Sequence, residues 1–178
     1  MHYKILQRED ISDFIPLSTI QEQVRSFDPH DELLLAEYRE AAISYAEMYM
    51  NRVLAKSVVI TTVPIYCKSI LLPLGDVSKI LSITATHNRD TVTVENYNLN
   101  TVSNIVTIPT DYRNCQEFMI TFEVGYEVGS IPKTIEIGVL KLLSTWFESR
   151  EDLSFGVSVA QVPFNHLNCF NLFRLQPH

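Results

Sequence analysis

The stretch 29-PHDELLLAEYREAAISYAEMYM-50 decides the fold class. Within it Leu34, Tyr38, Ala41, Tyr45 and Met48 recur at spacings of four and three, the apolar stripe of an α-helix. Asp31 and Glu32 fall in the first turn, where the helix dipole favours negative charge. Asp28 can cap the N-terminus and Pro29 suits the first helical position. Asn51 can take the left-handed conformation that ends a helix, and the cation of Arg52 suits that end. At its ordinary rise such a rod is about 33 Å long, more than a minimal core element needs. Leu33, Leu35, Tyr49 and Met50 lie off the stripe, and a helix apolar around much of its girth is buried on several sides. In a small domain a neighbouring copy can supply the extra side.

Working outward, Ser18-Thr19-Ile20-Gln21 reads as a capping box, with Leu17 as its staple residue, opening a short helix to about Ser26. Downstream the period changes from helix to strand. Ser57–Ile65 is rich in Val, Ile and Thr, and Ile70–Pro73 is short and apolar. Val77–His87 alternates between apolar and polar, with a slip at Leu81. Thr91–Glu95, Ile105–Ile108 and Phe118–Tyr126 complete the set, separated by turn chemistry at 87–90, 96–100 and 110–114. A second helix is expected from Pro132 to about Ser149, its core face carrying Ile135, Val139, Leu142, Leu143, Trp146 and Phe147. The expected fold is therefore α+β: an N-terminal helical hairpin and a C-terminal helix packed together, with an inserted antiparallel sheet or small sandwich. Residues 1–162 form one domain, with helices at about 18–50 and 132–149 and the β region at about 57–126. Residues 163–178 form an extended tail dense in Phe164, Leu167, Phe170, Leu172, Phe173 and Leu175. A segment so apolar either folds back on its own subunit or docks on another one.

The rest of the composition mainly excludes. With 178 residues the chain can bury a core without staples, and only 5 glycines argue against a glycine-rich nucleotide loop. A net charge of −7 is poor for gripping phosphate backbones, although an acidic surface would let DNA slide past. Cys67, Cys115 and Cys169 are widely spaced and read as reduced structural thiols. The charged N-terminus lacks the apolar core of a signal peptide, and no apolar run is long enough to span a bilayer, so neither export nor a membrane partner is expected. No phosphate loop, zincin helix or nucleophile elbow is present. His166 and Cys169 have a metal-like spacing, but zinc wants three or four ligands. No cofactor is expected. A Cys–His pair of Cys115 with His87 or His166 keeps a small cytosolic hydrolase, or a ligand-binding α+β domain, open as an alternative. Glu37 and Glu40 around Arg39 read as a surface ion-pair cluster.

Leu17-Ser18 opens a short helix, and the acidic turn Asp28–Glu32 leads into Leu33–Leu35, Ala41-Ala42 and Tyr45-Ala46-Glu47, the helix closing with Asn51-Arg52. Further on come Ile120-Thr121-Phe122-Glu123-Val124-Gly125-Tyr126, then Ile131-Pro132, then a helix with Trp146-Phe147-Glu148-Ser149-Arg150. This order of features resembles the tailed-phage head–tail connector (adaptor) family, which has Gly-Arg where this chain has Asn51-Arg52. The resemblance runs from about Leu17 to Phe164.

The resemblance implies a structural protein, not an enzyme, that is assembled in the host cytoplasm and sits in the virion neck. It implies a ring, commonly twelve-fold, beneath the portal, which extends the channel for double-stranded DNA and offers a docking surface to a tail or neck protein. On that reading the tail residues Phe164, Leu167, Phe170, Leu172, Phe173, Arg174 and Leu175 meet the portal. Leu33, Tyr45, Tyr49 and Arg52 lie between ring neighbours, and Glu37, Glu40 and Glu47 face the channel.

Overall fold

The structure, a computed structural model, describes residues 2–148 and 165–175. The end of the expected 1–162 domain, together with Ser149, Arg150 and Phe164, lies outside the described residues. The fold is α+β with antiparallel sheets, and its described residues divide into two compact units. One, the β unit, holds residues 2–9 and 51–127 with Leu175; the other, the helical unit, holds residues 10–50, 128–148 and 165–174.

The β unit contains eight strands: β1 His2–Arg8, β2 Ser57–Ile65, β3 Ser69–Leu71, β4 Val77–His87, β5 Asp90–Thr93, β6 Asn98–Asn100, β7 Ile105–Thr107 and β8 Gln116–Val124. Five form a sheet in the order β1-β2-β8-β4-β5, and three form a second in the order β3-β7-β6. Period-two alternation sends Phe118, Ile120, Phe122 and Val124 of β8 inward, where they share one core with Val59, Ile83, Val106 and Ile108. The slip at Leu81 is a β-bulge: the register shifts between Ile80 and Ser82, which leaves Leu81 exposed. The β4–β5 hairpin turns on Asn88 and Arg89, both with positive φ, as a two-residue loop demands. Two elements went unanticipated. β6 lies in a stretch whose asparagines read as a turn, and β1 lies where charged residues obscure the alternation.

The ends of the inserted β region are tied together. Gly125 has φ +100°, and a Cβ there would stand 2.5 Å from the Ala55 carbonyl oxygen, so β8 can close against residues 54–55 only with glycine. The Tyr126 N–H donates to the Leu54 carbonyl at 2.8 Å. Arg52 pairs with Asp76 at 2.9 Å and packs on Gly75. Burial, and a hydrogen bond to Asp76, push the Tyr126 hydroxyl up to about 12.

The helical unit contains α1 Leu17–Val24, α2 Glu32–Met50, α3 Lys133–Glu148 and α4 His166–Asn171. The expected capping box does not form. Pro16 is the N-cap, with the Thr19 and Ile20 amides on its carbonyl, so Ser18 already lies inside the first turn. Nor does α2 start at Pro29: residues 28–31 make a turn, with the Asp28 carboxylate taking the His30 N–H, and the helix begins at Glu32. Asn51 does adopt the left-handed conformation, at φ 53°. The buried face of α2 is Leu35, Arg39, Ala42, Ile43, Ala46 and Met50, rotated from the stripe read in the sequence. Small alanines on that face allow close packing, whereas Tyr38, Tyr45 and Tyr49 flank it. Arg39 is thus no surface ion-pair member. Its guanidinium reaches the Ser12 and Ile15 carbonyls at 3.4 and 3.5 Å, satisfying backbone acceptors of the loop before α1.

Candidate assembly surfaces

Catalytic geometry comes first. Cys115 is buried in the β-unit core, His87 lies at the end of β4, and His166 opens α4. Among the described residues of the β unit no hydrogen bond joins His87 to Cys115, and among all described residues no group of three metal-ligating side chains occurs. Burial pushes the His166 imidazole below its ordinary range, as expected for a ring packed on Tyr45 and Phe170. A cleft of about 280 Å³ lies at the start of α3, between Phe14, Pro16, Val128, Ile131, Lys133 and Glu136, and its lining carries neither histidine nor cysteine. Within the β unit, Cys115 and His87 make no nucleophile–base pair.

The tail is better defined. Residues expected to be extended instead form α4, capped by the Asn165 side chain on the Asn168 N–H. Phe170 is fully buried against α3, where Gly138 makes room for it: a Cβ there would lie 2.6 Å from the ring. The Tyr49 hydroxyl donates to Asn171 Oδ1 at 2.7 Å, and the Arg174 guanidinium lies 5.0 Å from the Tyr49 ring centroid. Phe170, expected to meet a partner, is therefore occupied within its own chain. Leu167, Phe173 and Leu175 are half-buried, whereas Leu172 and Arg174 remain exposed. Because a six-residue helix cannot show a convincing period by itself, this arrangement was not readable from the tail alone.

Of the expected ring residues, Leu33 is 73% exposed and Tyr45 is partly exposed. Tyr49 is half-buried under α4, and Arg52 belongs to the Asp76 pair in the β unit. Met48, at 79%, is more exposed than any of them. Helical spacing puts Leu33, Glu37, Ala41, Ser44 and Met48 on one solvent-facing strip of α2, with Glu40 beside it and Glu47 half-buried. A second apolar surface was missed in the sequence. Every residue of β1 is exposed, including Tyr3, Ile5 and Leu6, although its backbone pairs with β2 on both sides of an irregularity between Ile5 and Gln7.

No protein-family model and no curated protein matches the chain. Solved structures do. The fold is similar to a chain in the neck of an empty gene transfer agent particle, computed with C6 symmetry. The TM-score is 0.77 at 14% identity, covering 100% of this chain and 97% of that one. It is similar again to a chain in the neck of the native particle, computed with C12 symmetry (TM-score 0.73, 14% identity, coverage 100% and 97%). A chain of the native gene transfer agent virion matches with TM-score 0.72 at 15% identity over the same shares. The likeness to these gene transfer agent chains extends over the whole of this chain.

Proposed function

We propose that this chain is a structural neck subunit of a tailed-phage or phage-like particle, a connector that works as one member of a ring beneath the portal. The observation that carries the reading is the end-to-end likeness, TM-score 0.77 over 100% of this chain and 97% of the other, to a neck component. The symmetric neck in which that component sits supports a ring. So does α2, where Leu33 and Met48 on the strip and Tyr45 beside it offer apolar area that a lone subunit leaves in water. In a ring each copy contributes two different patches to its neighbours, so the contact is heterologous and closes on itself.

On this reading α4 holds the tail to its own subunit through Phe170, and the exposed Leu172 and Arg174, with Phe173 and Leu175, reach the portal. The acidic chain lines a passage through which DNA moves without sticking, because few cations are available to displace its counterions. The opposite rim receives a tail or neck protein. The work is assembly, with no catalytic step.

Mixing the chain with the portal protein of the same particle tests this directly. Negative-stain microscopy is expected to show rings on the portal, and a chain ending at residue 162 is expected to lose binding. A full-length chain that leaves the portal bare would overturn the connector reading. Undiminished binding by the shortened chain would overturn the tail assignment alone.

A further inference from the structure

The ring reading, on which this inference rests, leaves open what meets the exposed strip of α2. The outward face of α3 carries an exposed apolar side chain between two lysines. Among its exposed positions Lys133, Ile137, Lys141 and Thr145 are four residues apart in turn and form a row along the helix, with Glu148 exposed at its end. Ile137 stands out from that line, 48% exposed, and a lysine follows one turn away on each side. Lys133 makes a local pair with Glu136 at 2.6 Å but stays largely in solvent.

The α2 strip is the reverse of this pattern. Ala41 and Ser44, both small and exposed, make a shallow place in the middle of the helix surface. Glu37 lies one turn before it and Glu47 about one turn after it. The lysines are about 12 Å apart along α3 and the glutamates about 15 Å apart along α2, a difference that flexible side chains absorb.

We infer that α3 of one copy packs across α2 of the next, with Ile137 seated over Ala41 and Ser44 and with Lys133 and Lys141 facing Glu37 and Glu47. A protruding side chain entering a gap between small residues is how helices pack at close range. The flanking charges set register and steer encounter. Each copy carries both halves, the α2 strip and the α3 line, so every copy gives one and receives one. A ring needs this, and closes when the rotation from one copy to the next completes the circle. Glu37 and Glu47 are thereby assigned to the joint between copies, and not to the channel wall.

The test uses the full chain, with the portal protein of the same particle added, and reads ring formation by native mass spectrometry. Three variants are compared with the unmodified chain: Glu37→Lys with Glu47→Lys, Lys133→Glu with Lys141→Glu, and all four together. Melting curves of the free chains check folding. Each double reversal is expected to weaken assembly by about a hundredfold, roughly tenfold for each like-charge contact. The fourfold variant is expected to recover to within about tenfold of the unmodified chain. Should a reversal unfold the chain, Ala41→Cys and Ile137→Cys copies, each also carrying Cys67→Ser, are mixed and oxidised instead. Disulfide-linked pairs formed only in the mixture support the joint, and their absence in assembled rings overturns it. Rings indifferent to either reversal, or a fourfold variant no better than the doubles, would overturn the pairing and leave the ring standing. No ring from the unmodified chain would overturn the ring reading itself.

Discussion

At Gly138 the α3 backbone touches Phe170 so closely that no side chain fits between them. Alanine there would ordinarily favour a helix by about 0.5–1 kcal/mol. Here it must push α4 outward, so Gly138→Ala is expected to raise amide exchange across residues 166–171 while α3 stays protected. Phe170→Ala instead empties the space that Gly138 leaves for the ring and is expected to cost about 3–5 kcal/mol of α4 docking, read by the same exchange experiment. His166 adds a pH dependence. Its imidazole is held below the usual range by burial, so the unfolded form binds a proton first as pH falls. Docking of α4 is therefore expected to weaken below about pH 6.5, and His166→Phe to remove that dependence. The single tryptophan, Trp146, lies 6.3 Å from Tyr45, which itself contacts His166, so its fluorescence is a convenient reporter. Tyr126 behaves in the opposite sense. With its hydroxyl raised to about 12, the unfolded chain loses that proton first, and stability is expected to fall between about pH 10 and 12. Absorbance at alkaline pH should show a late-titrating phenol, and Tyr126→Phe should abolish it.

Elements differ in how they are held. β8 lies in the middle of its sheet with four inward side chains fully buried, so Phe118→Ala is expected to cost about 3–5 kcal/mol in denaturant unfolding of the β unit. β1 belongs to the same sheet but buries none of its side chains. Removing residues 2–8 is therefore expected to shift the melting temperature of the β unit far less than Phe118→Ala does. A large drop would mean that the backbone bonds to β2 carry more of the unit's stability than its core chemistry implies. An edge strand this long is ordinarily blunted, and here Lys4 and the irregularity between Ile5 and Gln7 do so.

For the whole molecule, the two halves of the proposed joint predict a salt response. Lys133, Lys141, Glu37 and Glu47 lie near the surface, where screening is strong. Raising salt from about 50 mM to 500 mM should loosen rings of the unmodified chain, and a variant carrying Glu37→Gln, Glu47→Gln, Lys133→Gln and Lys141→Gln should lose that sensitivity. Sedimentation at both salt concentrations measures it. Rings that tighten with salt would point to apolar contacts such as Leu33 and Met48 as the dominant cement.

By itself the sequence determined the α+β class, six of the eight strands, the left-handed stop at Asn51 and the bulge at Leu81. Each is a local consequence of period or of backbone preference. It also carried the order of motifs on which the resemblance to head–tail connectors rests. Only the tertiary structure decided which face of α2 is buried, because an apolar girth leaves the phase of the helix open until its neighbours are placed. Tertiary structure likewise turned Arg39 inward to loop carbonyls and committed Arg52 to Asp76. It anchored the tail at Phe170, since the pocket that receives that ring is made by Gly138, more than thirty residues away in the chain.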